Sequence, residues 1–302
     1  MSSQAVAVVG SANLDMVFRI PQLPQPGQTL LGGSFSTHPG GKGANQACAI
    51  AKLGGRVSFV GCIGNDANGA ALKQAMFTAG VQTDHLRTLE NVASGTAVIL
   101  VDENGLNQIV VAAGANEHVT PEHVRNALQN SDPSVVLCQL EIPLAAVEEA
   151  ARFGKFMLNP APACALPNSI LASTFVLTPN ETEAANLTGI EPLDPSSTES
   201  AARKLLDRGV ANVVITLGDR GCYWASATES HHFPAYPVRA VDTTAAGDAF
   251  SGALAHFIAQ GSDLPQAIEK ANAVAAIATT RHGAMESMPT FAEFEAFRGT
   301  IA

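Results

Sequence analysis

Short apolar runs rich in Val, Ile and Phe recur along the chain, and most are followed by a stretch in which apolar residues return at helical spacing. The runs predict strands over residues 5–10, 57–63, 135–140, 155–159, 175–178 and 213–217. Helices are predicted over 44–53, 69–79, 121–130, 144–153, 181–187 and 198–208. This βαβα order is the pattern of a doubly wound α/β fold, a Rossmann-like central sheet flanked by helices. Two stretches break the rhythm, 29–37 and 95–112, the second with a turn at 102–105. Both look like hairpin strands with no covering helix, so they are expected to form a small separate β layer, a lid. The last third carries helical patterns at 247–260, 264–281 and 291–298 with no strand between them.

Composition narrows the class of protein. The chain has 302 residues, 46% hydrophobic and only 15% charged, which excludes intrinsic disorder. Aromatics are 5%, with one Trp and two Tyr, too few for a base-stacking platform. With 17 basic and 27 acidic residues the net charge is −10, a sign that repels nucleic-acid backbones and anionic membranes. The N-terminus lacks a basic leader region, and no apolar run approaches the roughly 18 residues of a membrane span, so a cytoplasmic protein is expected. Cys48, Cys62, Cys138, Cys164 and Cys222 are odd in number and widely spaced, which suggests neither a disulfide framework nor a zinc site. The eight histidines, among them the pair His231–His232, show no metal-ligand spacing.

The chemistry sits in glycine-rich and carboxylate motifs. In VDTTAAGD, from Val241 to Asp248, small residues feed an apolar-periodic helix, whose free N–H groups and dipole suit an anion at Ala245, Ala246 and Gly247. Asp248 has two readings on this octapeptide alone: a helix N-cap, the commoner use of Asp there, or a base beside a transferring phosphoryl group. Asn180 and Glu183 lie three apart at another helix start and could orient water around a cation on nucleotide phosphates, although an ordinary helix start looks the same. Thr216, Gly218 and Gly221 end a strand, where glycine allows close backbone approach to a ligand and a plain turn serves equally well. Asn13 and Asp15 are read at the end of the first strand, two apart and pointing the same way. The loop Gly40-Gly41-Lys42-Gly43-Ala44-Asn45 matches neither G-x-x-x-x-G-K-[ST] nor G-x-G-x-x-G. With Asn45 and Glu141 it leaves a loop lined with groups that hold hydroxyls, which points to polyol chemistry.

Taken together, GSANLD, GGKGANQA, TPNETEA, ITLGDRG and VDTTAAGDAF resemble, in order and over nearly the whole chain, the signatures of the ribokinase-like (PfkB) carbohydrate kinases. The resemblance implies a single ribokinase-like domain over 1–302 with lid strands from about 14–40 and 95–113. It also implies transfer of the γ-phosphoryl of MgATP to a hydroxyl of a pentose, D-ribose foremost, by a homodimer joined through the lid. By resemblance Asp248 is the general base, and Ala245, Ala246 and Gly247 are the anion hole. Asn13, Asp15, Gly41, Lys42, Asn45 and Glu141 match sugar-binding positions, while Asn180, Thr216, Gly218, Gly221 and Asn272 match nucleotide-binding ones. Glu183 completes an N-x-x-E pattern associated with magnesium. Asp242, Thr244, Ala278, Arg281, Gly283 and Ser287 match the ligands of a potassium ion, near which Met285 and Glu286 depart from expectation.

Rival substrates leave different marks. A sugar-phosphate kinase needs several cations for its substrate's phosphate, yet residues 10–45 and 95–112 contain only Arg19 and Lys42. A nucleoside kinase needs a slot for the base, and the same segments offer only Phe18 and Phe35. A sugar-binding regulator without catalysis is a further alternative, against which Asp248, Gly247 and Glu183 are all in place.

Overall fold

The computed structural model describes residues 5–104 and 106–301; Gly105, in the predicted turn, lies outside them. The first half contains β1 (Ala5–Val9), β2 (Asn13–Arg19), β3 (Ser34–Gly40), α1 (Lys42–Lys52), β4 (Arg56–Gly64), α2 (Ala67–Ala79), β5 (Leu86–Leu89), β6 (Gly95–Val101), β7 (Asn107–Ala112), α3 (Pro121–Leu128) and β8 (Val135–Cys138). There follow α4 (Leu144–Ala150), β9 (Lys155–Leu158), α5 (Asn168–Ser173), β10 (Val176–Leu177), α6 (Glu181–Thr188), α7 (Pro195–Leu206) and β11 (Asn212–Thr216). The chain ends with β12 (Cys222–Ser226), β13 (Ser230–Phe233), α8 (Ala246–Ala259), α9 (Leu264–Ala278) and α10 (Phe291–Ile301).

The main sheet runs β13-β12-β11-β10-β9-β8-β1-β4-β5. Its strands pair parallel from β11 to β5, and β12 and β13 continue antiparallel. Alternation along β1 shows why both faces are covered. Val6 and Val8 join a cluster with the apolar residues of α1, α8 and α9, while Ala7 and Val9 join one with those of α3, α4 and α7. The chain leaves β1 toward β4 on one side and β8 on the other. The crevice beyond the carboxyl ends of β1 and β8 is therefore the topological switch point, where doubly wound sheets bind ligands.

Four strands, β3-β2-β6-β7, form the second sheet. Here the expectation needs two corrections. The strand predicted over 29–37 lies at Ser34–Gly40, and Asn13 and Asp15 belong to lid strand β2 rather than to the end of β1, which stops at Val9. The Ser11–Ala12 break lets the chain leave one sheet and enter the other.

Close helix packing then sets the position of the site. A Cβ on Gly252 of α8 would stand 2.7 Å from the Gln46 carbonyl of α1, so glycine lets the two helices meet. One turn earlier on α8, Asp248 is thereby pressed against Asn45 and Gln46. Four cysteines are buried as small core residues, and Cys164 is exposed.

Candidate active site

Asp248 lies in the first turn of α8 and is not its cap; that place belongs to Ala245, which makes no side-chain bond to the helix. Ala245 adopts φ +59°, a left-handed conformation that costs an alanine roughly 1–2 kcal/mol and turns the loop sharply into the helix. The first helical bond runs from Ala249 N to the Ala245 carbonyl, so the amides of Gly247 and Asp248 have no intrahelical acceptor. A Cβ on Gly247 would meet nothing, because it would point into open space. The amide of Ala246 donates to the Thr243 carbonyl at 3.2 Å, which leaves the amides of Gly247 and Asp248 as the free donors at this helix start.

Both carboxylate oxygens of Asp248 are held. Asn45 Nδ2 donates to Oδ2 at 2.9 Å, and Gln46 Nε2 donates to Oδ1 at 2.9 Å. The other end of the Asn45 amide, Oδ1, is buried with no protein partner. A buried acceptor without a donor is costly, and a substrate hydroxyl is the group that would satisfy it.

Of the other predicted sugar residues, Asn13 and Lys42 meet at Glu141, just beyond β8. Its Oε2 accepts from Ser11 Oγ at 2.5 Å, Lys42 N at 3.2 Å and Asn13 Nδ2 at 3.4 Å. Asn116 Nδ2 donates to Asn13 Oδ1 at 2.7 Å and so orients that amide with its nitrogen toward Glu141. Gly41, at φ +89°, would place a Cβ 2.5 Å from Asn13 N, so the glycine allows the lid strand and the sugar loop to touch. Asp15 sits opposite His38 across the β2–β3 pair. Burial, reinforced by the charges of Glu141, Asp248 and Glu286, pushes its carboxyl up to about 7. Burial works against the charge on Lys42, but Asp248, Glu141, Glu183 and Asp15 outweigh it and raise the ammonium pKa.

The predicted nucleotide residues surround a cavity of about 690 Å³, a size suited to a small ligand. Asn180, Thr216, Gly218, Gly221, Asn272, Ala246 and Gly247 all line it. Asn180 bridges to Thr216, which joins the ends of β10 and β11 at the cavity edge. Sequence reasoning missed the other wall, where Tyr236, Pro237 and Val238 follow β13 and Ala275, Ala276 and Thr279 come from the end of α9 and its cap. It also missed Ser11, Gln46 and Asn116. Ser11 and Gln46 lie inside the GSANLD and GGKGANQA motifs, and nothing in the sequence singles out Asn116.

Glu183 is buried behind the cavity edge and closes a capping box on α6. Its carboxylate accepts from Asn180 N and Nδ2, both at 2.9 Å. Burial raises its pKa, with Asp248 adding to the effect while Asn180 and Lys42 oppose it. Among the described residues, no group of three or more His, Cys, Asp or Glu converges as a metal cluster. A divalent ion here would keep water and nucleotide oxygens as ligands, which is how magnesium usually binds.

Of the predicted potassium ligands, Asp242 accepts from Thr244 N at 2.9 Å and Gly283 N at 3.2 Å. Burial works against its charge, but these bonds and nearby His282 prevail and lower its pKa. Ala278 ends α9, where carbonyls and the negative end of the helix dipole face the loop. One ionised carboxylate with backbone carbonyls is a donor set that fits a large monovalent cation. Arg281 is drawn to Glu293 at 2.9 Å, so it would take part through its backbone carbonyl, while the buried Ser287 hydroxyl donates to the Ala284 carbonyl at 2.8 Å and keeps its oxygen lone pairs for a cation. The departing residues have their own partners. Lys52 Nζ donates to the carbonyls of Met285, Glu286 and Met288, and the Glu286 carboxylate lies 3.7 Å from His38 on the lid.

Residues 3–291 match the model of the pfkB family carbohydrate kinases. Ribokinase of Haemophilus influenzae is 40% identical over 293 residues, covering 95% of this chain and 96% of that one. The crystal structure of a Thermotoga maritima ribokinase superposes with a TM-score of 0.90 at 39% identity, over 98% of this chain and 99% of the other. That of Arabidopsis thaliana ribokinase complexed with ribose and ATP gives 0.89 at 32% identity, again over 98% and 99%. A predicted order of motifs, a site at the switch point and matches spanning nearly the whole chain agree, and the chain belongs to the pfkB family of carbohydrate kinases.

Proposed function

We propose that this protein phosphorylates D-ribose with ATP, giving D-ribose 5-phosphate and ADP, with Asp248 as the general base. The observation that carries this reading is the unpartnered Asn45 Oδ1 beside the doubly held Asp248, an acceptor and a carboxylate aimed at one polyol hydroxyl. The lid supports a sugar over a nucleoside. Phe18 and Phe35, with ring centroids 4.7 Å apart, pack against each other on the lid face opposite Asp15, away from the sugar residues.

In the reaction the sugar is positioned by Asn13, Asp15, Gly41, Lys42, Asn45 and Glu141. Asp248 takes the proton of the accepting hydroxyl as that oxygen bonds to the γ-phosphorus, and the bond to the β-phosphate bridging oxygen breaks to release ADP. The free amides at Gly247 and Asp248 face charge developing on the transferring group, and Lys42 adds a cation close to the carboxylates. Asn180, Thr216, Gly218, Gly221 and Asn272 hold the nucleotide. A divalent cation bound with ATP would neutralise phosphate charge, with Glu183 as the carboxylate behind it. Asp242, Thr244, Ala278, Arg281, Gly283 and Ser287 would hold a potassium ion, whose charge would order the loop leading to Gly247.

The outer lid face leaves Phe35, Val98 and Val110 exposed, which suits pairing with a second copy through the lid. Among the described residues no helix is long and apolar enough to cross a membrane. The need for ATP and the five free cysteines suit work in the cytoplasm.

The test is ADP release with MgATP across pentoses, hexoses and nucleosides, with and without potassium. Potassium-stimulated turnover strongest with D-ribose is expected, and turnover confined to another sugar or to nucleosides overturns the substrate. Asp248→Asn should lower turnover about 10²- to 10⁴-fold with ribose affinity kept; near-normal turnover refutes its role as base.

A further inference from the structure

The group behind the base is unusual for a fully buried residue. Gln46, on α1, is buried completely, and each part of its amide has a separate task. Nε2 donates to Asp248 Oδ1 at 2.9 Å and to Asn159 Oδ1 at 3.1 Å, while Oε1 accepts from Gln139 Nε2 at 2.5 Å. Its partners lie just beyond the ends of β8 and β9, and the chain of bonds continues into the sheet because Asn159 Nδ2 donates to the Thr178 carbonyl at 3.0 Å. The amide cannot flip. Turning it would face its oxygen toward both the Asp248 carboxylate and Asn159 Oδ1, and its nitrogen toward the donating Gln139. Gly10 shares in this arrangement, since a Cβ there would collide with Gln139 Oε1.

A carboxylate that must take a proton needs one oxygen free in the right direction and a basicity matched to its task. Asn45 keeps one end of its amide unpartnered, whereas Gln46 is tied through Asn159 to the sheet. We infer that Gln46 is the positioning residue for the base: it fixes the rotamer of Asp248 through Oδ1 and leaves Oδ2 to face the accepting hydroxyl. The inference rests on Asp248 being the base. The charged groups that share the site with Asp248 are Lys42 of α1, Asp15 of β2, Glu183 of α6 and Glu141. All are unchanged in the variants below, so a difference between variants isolates Gln46.

The experiment compares the full-length protein with Gln46→Met, which removes both the donor and the acceptor at similar volume, with Asp248→Asn, and with the two substitutions together. Single-turnover phosphoryl transfer is followed at saturating ribose and MgATP, alongside KM for both substrates. Gln46→Met should be at least about 10-fold slower, the size of a lost charge-assisted hydrogen bond, with KM within about threefold. In the Asp248→Asn background the same substitution should cost less than about twofold, because a residue that acts through the base has nothing left to act on. A Gln46→Met rate close to wild type, or an equal loss in both backgrounds, overturns the inference and leaves Gln46 a structural residue. If Gln46→Met does not fold, Gln46→Asn, which withdraws the amide by one methylene, carries the same comparison. Near-normal turnover of Asp248→Asn alone means that the base itself is misassigned, a failure distinct from that of Gln46.

Discussion

Asp15, placed on the sugar in the proposed function, carries a stability effect that can be measured. Its carboxyl is pushed from 3.8 to about 7, first by burial and then by Glu141, Asp248 and Glu286, so the folded chain holds a proton there that the unfolded chain has released. Stability rises with pH only where the unfolded state binds more protons; here the native state binds more, so stability should fall as pH rises from about 4 to 7 and stay low above that. A shift of about three units at about 1.36 kcal/mol each gives an upper limit near 4 kcal/mol, and partial solvent contact reduces this to about 1–2 kcal/mol. Asp15→Asn removes the charge at similar volume. Urea unfolding of the ligand-free proteins should therefore show the variant about 1–2 kcal/mol more stable than wild type at pH 8, and no more stable at pH 4. Ribose affinity should fall about 10- to 100-fold, since a charged hydrogen bond to the sugar is lost. A stability difference that is absent at pH 8, or the same at both pH values, would refute the reasoning that the pocket keeps Asp15 under strain for its substrate.

Other parts of the site give simpler expectations. Gly247→Ala should fold normally, because its methyl meets no protein atom, yet lose at least about 10²-fold in turnover as that methyl enters the anion hole; intact turnover would place the phosphoryl group elsewhere. Asp242→Asn should abolish stimulation by potassium while leaving turnover without potassium close to wild type, read from ADP release in potassium against a bulky organic cation. Val110→Lys, on the exposed lid face, should shift the mass measured by light scattering from dimer to monomer without lowering the melting temperature; a monomeric wild type would remove the lid pairing.

What the sequence made legible follows from where each partner lies. The inner parallel strands, β1, β4, β8, β9, β10 and β11, are buried on both faces and announce themselves as apolar runs, whereas β5 at the sheet edge, half exposed, does not. Glycine and carboxylate motifs at their ends are local signals, so the cavity residues Asn180, Thr216, Gly218 and Gly221 could be named in advance. β13, with the polar sequence Ser-His-His-Phe on the edge of the sheet, gives no such signal. Asn13 and Asp15 were read on the wrong strand because alternation is the same whether a strand belongs to the main sheet or to the lid; only pairing with β3 and β6 decides it. Gln46 was hidden for a stronger reason. Its partners Gln139, Asn159 and Asp248 lie 93, 113 and 202 residues away, and a glutamine in an apolar helix carries no mark of what it will meet. Asp248 shows the same limit from the other side: cap and base are indistinguishable in VDTTAAGD, because the difference is where the helix begins. The left-handed turn at Ala245 starts α8 early enough to put Asp248 inside its first turn, so the carboxylate is released from capping and turned toward Asn45 and Gln46.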